Sequence, residues 1–204
     1  MVRLEISQHH FLLTSLANSV MSYYVGIDPG LEGGITLLYD HASTVELDIY
    51  DMPIMPTQLK KRTQMRIDGL AFWDLLQSWH AHDPVVCLEH LWGFGAAVNV
   101  GGEKGQFTFA DDYGLLRGLL IASGFTILMA PPQTWQAGVG KEKCSDKTGS
   151  IKRAIELYPK HSQLLIKPGA RTYSDGRAES LLIAHYCKMV AQTPLLRQIL
   201  SICS

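Results

Sequence analysis

The run Tyr23-Tyr24-Val25-Gly26-Ile27 constrains this chain more than any other segment. Its aromatic and β-branched side chains suit a buried strand, which stops at Asp28, where Pro29-Gly30 turns the backbone. Gly33 to Tyr39 returns as an antiparallel neighbour, and a third strand is expected at Thr44–Tyr50, before the proline-interrupted segment Met52–Thr57. A chain that opens with such a meander has one sheet edge already built.

Beyond the meander, helices alternate with strands. Leu70, Phe72, Leu75, Leu76 and Trp79 recur at helical spacing between Asp68 and Trp79. Pro84 to Leu88 reads as a fourth strand, ending in Glu89. The Gly-rich residues 93–105 read as a flexible loop, and a helix from about Thr108 to Ser123 is stopped by Gly124. Phe125 to Met129 is a strand broken by Pro131-Pro132, and helices are expected over Lys147–Tyr158 and from Asp175 to about Val190. Helices between strands imply parallel crossovers, so the class is α/β with a five-stranded mixed sheet and flanking helices.

Length and composition set the limits. With 204 residues, 47% hydrophobic and 18% charged, the chain suits one folded domain. Residues 22–192 are expected to form it, with an N-terminal extension over 1–21 and a tail over 193–204. The extension lacks the basic start and small-residue cleavage site of a secretory signal, and Met21 could serve as an alternative start. No apolar run reaches bilayer length, so no membrane partner is expected. Cys87, Cys144, Cys187 and Cys203 form no CxxC pair, which points to a reduced, cytoplasmic protein, an organellar one being the alternative. The net charge of -1 is unevenly spread: the N-terminal quarter is acidic and the C-terminal third basic.

Four carboxylates stand at telling places. Asp28 and Glu89 end strands, while Asp175 and Glu179 are spaced to share one face of the last helix. Singly, each has a plain structural role available: Asp28 as a turn residue, Glu89 as a surface residue, Asp175 as a helix cap, Glu179 as a solvated glutamate. Together, with the first and fourth strands adjacent, they would converge and repel unless protonated or bridged by cations. Such hard oxygen ligands suit Mg²⁺, two ions of which could serve in-line phosphodiester hydrolysis, with Mn²⁺ as a substitute.

Three motifs in order carry a resemblance. Val25-Gly26-Ile27-Asp28-Pro29-Gly30, Leu88-Glu89-His90-Leu91-Trp92 and Asp175-Gly176-Arg177-Ala178-Glu179-Ser180-Leu181-Leu182-Ile183-Ala184 resemble the RuvC family of Holliday junction resolvases, which have an RNase H-like fold. The pattern is most similar to the bacteriophage and plant chloroplast versions, over roughly residues 22–190. The resemblance implies a homodimeric, magnesium-dependent endonuclease that cuts four-way junctions by paired nicks, leaving 5′-phosphate and 3′-hydroxyl ends. Asp28, Glu89, Asp175 and Glu179 would be its metal-binding and catalytic carboxylates. In the bacterial members the last two acids are three apart, so Asp175, four before Glu179, departs from the pattern.

The remaining expected contacts are to DNA. Trp92 would stack at the junction centre or anchor the Gly-rich loop, and Phe94 could share either task. Lys147 falls where a family lysine contacts phosphate near the active site, and Lys141, Lys143, Lys152 and Arg153 extend the basic surface. Gln136 replaces a lysine common in relatives. The helix around Asp111–Ser123 resembles the one through which family members dimerise. The rival readings are a broader flap, fork or RNA–DNA hybrid nuclease and a branched-DNA binding protein with little or no catalysis. An ATP-binding sugar-kinase-like fold is more distant, because no further phosphate-binding glycine motif comes after the first hairpin.

Overall fold

The structure, a computed structural model, describes residues 21–41, 44–59, 62–90, 102–141 and 148–193. Strand β1 (Ser22–Ile27) pairs antiparallel with β2 (Gly34–His41), which pairs antiparallel with β3 (Thr44–Asp51). On its other side β1 runs parallel to β6 (Val85–Glu89), and β6 parallel to β7 (Thr126–Ala130). The sheet order is therefore β3-β2-β1-β6-β7, five strands of mixed direction, the RNase H-like arrangement expected from the sequence.

Between β3 and β6 lie two further strands, β4 (Ile54–Leu59) and β5 (Arg62–Ile67), which pair only with each other. In the sequence, Met52–Thr57 reads as merely interrupted by proline. Pro56 is tolerated because this two-stranded ribbon gives every strand a free edge. Helix α1 (Gly69–Ser78) comes next, with the Asp68 carboxylate accepting from the backbone N–H groups of Leu70 and Ala71.

Helix α2 (Gly102–Ser123) begins six residues before the expected Thr108, so 102–105 are helical rather than part of a loop. After β7 comes a short helix that sequence reading missed, α3 (Pro132–Gly138). Pro132 does not break the chain there: proline fits the first turn, where its missing N–H would have had no helical partner. Helices α4 (Thr148–Leu157) and α5 (Asp175–Ala191) end the described fold at nearly their expected bounds.

Strand alternation sorts side chains to two faces. Val25, Ile27, Val86 and Leu88 pack with Phe72 and Leu76 of α1 and Leu116 and Leu120 of α2. Tyr24 and Cys87 face the other way, toward Trp135 of α3, Ala154 of α4 and Leu181 to Ala184 of α5. The result is three layers, with the sheet in the middle. By the same alternation, Gly26 and Asp28 follow Tyr24, and Glu89 follows Cys87, onto the α5 side. No described helix is long and apolar enough to cross a membrane.

Candidate active site

The site lies where β1 and β6 end. Ile27 stands beside Leu88 in parallel register, so Asp28, just past β1, follows beside Glu89, the last residue of β6. The Asp28 backbone N–H donates to the Gly34 carbonyl, which fixes the turn into β2. Glu89 is buried rather than on the surface, and its Oε1 accepts from the Trp135 indole at 2.9 Å.

Helix α5 supplies the other two acids. It reaches the sheet because small residues let backbone meet backbone. A Cβ on Gly26 would lie 2.1 Å from the Ala184 nitrogen, and one on Gly176 would lie 2.2 Å from the Glu32 carbonyl. Ser180 and Thr36 hydroxyls share a buried hydrogen bond of 2.8 Å across the same contact. Arg177 pins the helix start: it grips Asp51 with two bonds of 2.8 and 2.9 Å, and its remaining amino group donates to the Leu164 carbonyl. That contact holds the Asp51 carboxyl below its usual range, the Arg177 hydrogen bond being the main lowering influence. Ser174, not Asp175, caps the helix by accepting from the Arg177 N–H.

Asp175 and Glu179 thus line one cavity with Asp28. Burial pushes Asp28 up to about 8, and the negative charges of Glu89, Glu179 and Asp175 add to the effect. Burial likewise raises Glu89 to about 7, Glu179 raising it further while Trp135 and Lys141 pull it back. Asp28 thus feels the charges of the other three carboxylates, and Glu89 feels that of Glu179.

Glu179 is held by the protein's own donors. Lys141 Nζ lies 3.2 Å from its Oε1, and the Ser150 hydroxyl donates to the same oxygen at 2.8 Å. Lys141 Nζ also sits 5.6 Å from the Trp135 ring centroid. Among the described residues, no group of three or more His, Cys, Asp or Glu side chains could hold a metal ion as placed. The donor chemistry fits a hard divalent cation, but the arrangement is one in which Lys141, Ser150 and Trp135 occupy carboxylate oxygens.

Of the expected DNA contacts, Trp92, Phe94, Lys143 and Lys147 lie outside the described residues. Lys141 turns inward onto Glu179. Lys152 is exposed on α4. Arg153 donates to the Val139 carbonyl at 2.7 Å and pairs with Glu156, tying α4 to the end of α3. Gln136 lies half-buried on α3. Sequence reasoning missed Trp135, Ser150 and Arg177 as parts of the site. A tryptophan just after a strand end and an arginine inside an apolar helix face were the signals that could have found two of them.

No protein-family model and no curated protein sequence matches the chain. Solved structures do. The RuvC of T. thermophilus in complex with a Holliday junction substrate is 13% identical, with a TM-score of 0.47, covering 83% of this chain and 94% of that one. The yeast mitochondrial Holliday junction resolvase Ydc2 is 15% identical, with a TM-score of 0.46, covering 87% of this chain and 84% of its own.

Proposed function

We propose that this chain is a divalent-cation-dependent, structure-selective DNA endonuclease that resolves four-way junctions by paired nicks, of the RuvC type its motifs resemble. The reading rests above all on Asp28, half-buried at a sheet end where it shares a cavity with Asp175 and Glu179 and feels the charge of Glu89 as well. A fold gains nothing by itself from setting like-charged groups so close that Asp28 is driven to keep its proton.

Asp28, Glu89, Asp175 and Glu179 would hold Mg²⁺ or Mn²⁺, which would neutralise the carboxylates and the phosphate and lower the pKa of a bound water. Binding would require Glu179 to exchange Lys141 for the cation, leaving the Lys141 ammonium near an incoming phosphate. Lys147 would add a further phosphate contact, and Trp92 and Phe94 would meet the junction centre.

The same reading makes the protein a homodimer through α2. Leu116 and Leu120 face the core, whereas Phe107 and Ile121 are 79% and 66% exposed. Gly114 and Gly118 add open space on α2, since a Cβ at either would meet nothing within 4 Å. A symmetric pair of α2 helices would set two sites against opposed strands of a junction.

One observation favours a second reading, a branched-DNA binding protein with little catalysis: Glu179 is already paired with Lys141 and Ser150. A single assay separates the two. Wild type, Asp28→Asn and Glu179→Gln are incubated with a four-way junction, a flap, a linear duplex and an RNA–DNA hybrid, in Mg²⁺ or Mn²⁺. The nuclease reading expects paired nicks in the junction by wild type and binding without cleavage by both variants. Tight junction binding by wild type with no cleavage in either metal would favour the binding protein. Equal cleavage of all four substrates would replace junction selectivity with a broader nuclease.

A further inference from the structure

A cavity of about 460 Å³ opens from Asp28, Asp175 and Glu179 toward a wall that the carboxylate cluster does not need. That wall is the segment before α5, including Lys167, Thr172 and Tyr173, together with Glu32 and Gly33 from the β1–β2 turn. The size falls in the range that takes a small organic ligand or one nucleotide.

The wall is built, not draped. Ile166 and Tyr173 form a β-bridge, the Ala170 N–H donates to the Lys167 carbonyl, and the Ser174 N–H donates to the Leu165 carbonyl. Gly169 supplies the positive φ of 79° that closes the turn. Tyr173, which lines the cavity, is 40% exposed.

Among the described residues lining the cavity, Lys167 is the one cation, against Asp28, Glu32, Asp175 and Glu179. Its Nζ lies 3.0 Å from Glu32 Oε2 and 3.9 Å from Asp51 Oδ1. Asp51 is already gripped by Arg177 through both oxygens. Glu32 is 93% exposed, so its pairing with Lys167 contributes little and can be exchanged. Lys141, which holds Glu179, does not line this cavity.

We infer that the Lys167–Tyr173 wall is a nucleotide subsite beside the carboxylate cluster, in which Lys167 leaves Glu32 to pair with a backbone phosphate and Tyr173 stacks on the adjoining base. This rests on the nuclease reading and adds to it a strand path that the motifs do not specify. Glu32 acts as the competitor of that phosphate, so the two residues have opposite effects on binding.

The test is fluorescence anisotropy of a labelled four-way junction with the full chain, in EDTA and across a salt series, so that cleavage plays no part. Lys167→Ala is expected to bind roughly five- to tenfold more weakly near 0.1 M salt, with the slope of log K against log salt shallower by about 0.9, the loss of one phosphate contact. Glu32→Gln is expected to bind more tightly than wild type by a few-fold. A merely structural role for Lys167 would lower the melting temperature without changing the salt slope. Wild-type affinity and slope in Lys167→Ala, while wild type binds the junction, would overturn the subsite and leave the nuclease reading standing. Failure of wild type to bind any branched DNA would instead sink the nuclease reading itself.

Discussion

Gly26 faces Ala184 so closely that a Cβ added to the glycine would lie 2.1 Å from the Ala184 backbone nitrogen and 2.3 Å from the Ser180 carbonyl oxygen. Both neighbours are main chain in the middle of α5, so neither can swing aside. The position of that helix over β1, and with it the position of Asp175 and Glu179 over Asp28, depends on an absent side chain.

Gly26→Ala is therefore expected to push α5 away from the sheet. Overpacking of this kind costs about 3 kcal/mol, which lowers the melting temperature by roughly 6–12 °C in a domain of this size. Junction cleavage measured well below the new melting temperature should fall further than the folded fraction does. A variant with wild-type stability and wild-type cleavage would show that the helix does not need this close approach.

Asp28 makes stability depend on pH. Its ordinary pKa is 3.8, and in the folded chain burial and its acidic neighbours push it up to about 8. The folded state therefore keeps a proton that the unfolded chain releases in between. Its contribution is full below about pH 4 and is lost as pH rises through about 8. Asp28→Asn cannot ionise, so in metal-free buffer its melting temperature should exceed that of wild type by an amount that grows from pH 5 to pH 9. Adding Mg²⁺ should raise wild type more than the variant. A gap that stays constant with pH would mean that Asp28 is not buried among like charges.

Arg177 is 6% exposed and closes the start of α5 onto Asp51 and the Leu164 carbonyl. Arg177→Ala leaves both acceptors without their donor and is expected to destabilise by about 3 kcal/mol. Arg177→Lys should recover only part of this, since an ammonium cannot reproduce the paired contact. Chemical denaturation of the three proteins checks the order. Equal midpoints for Lys and wild type would show that charge alone matters there.

Ile121 tests the assembly. It is two-thirds exposed on the outer face of α2, away from the buried Leu116 and Leu120. Ile121→Glu is expected to leave the far-ultraviolet circular dichroism unchanged while halving the mass measured by light scattering at micromolar concentration. A wild type that is monomeric under the same conditions would remove the dimer from the reading.

Much of this was legible along the chain. The meander, the crossovers and the strand ends at Asp28 and Glu89 follow from local residue patterns. So does the i,i+4 pairing of Asp175 with Glu179, because helix and strand periods are properties of the backbone. Two local signals were less plain. The β4–β5 ribbon was hidden by Pro56, and α3 by a Pro131-Pro132 pair that reads equally as a strand end and a helix start.

The contacts that set the state of the site were not in any local pattern. Lys141 and Glu179 are 38 positions apart, Trp135 and Glu89 46 apart, and Arg177 and Asp51 126 apart. Which donor reaches which carboxylate depends on how each crossover crosses the sheet and how deep each helix settles. That is decided by packing of the whole chain, where a difference of one glycine Cβ changes the distance between layers. The sequence alone placed four acids at the ends of strands and on one face of the last helix; tertiary packing decided that a lysine, a serine and a tryptophan would hold two of them.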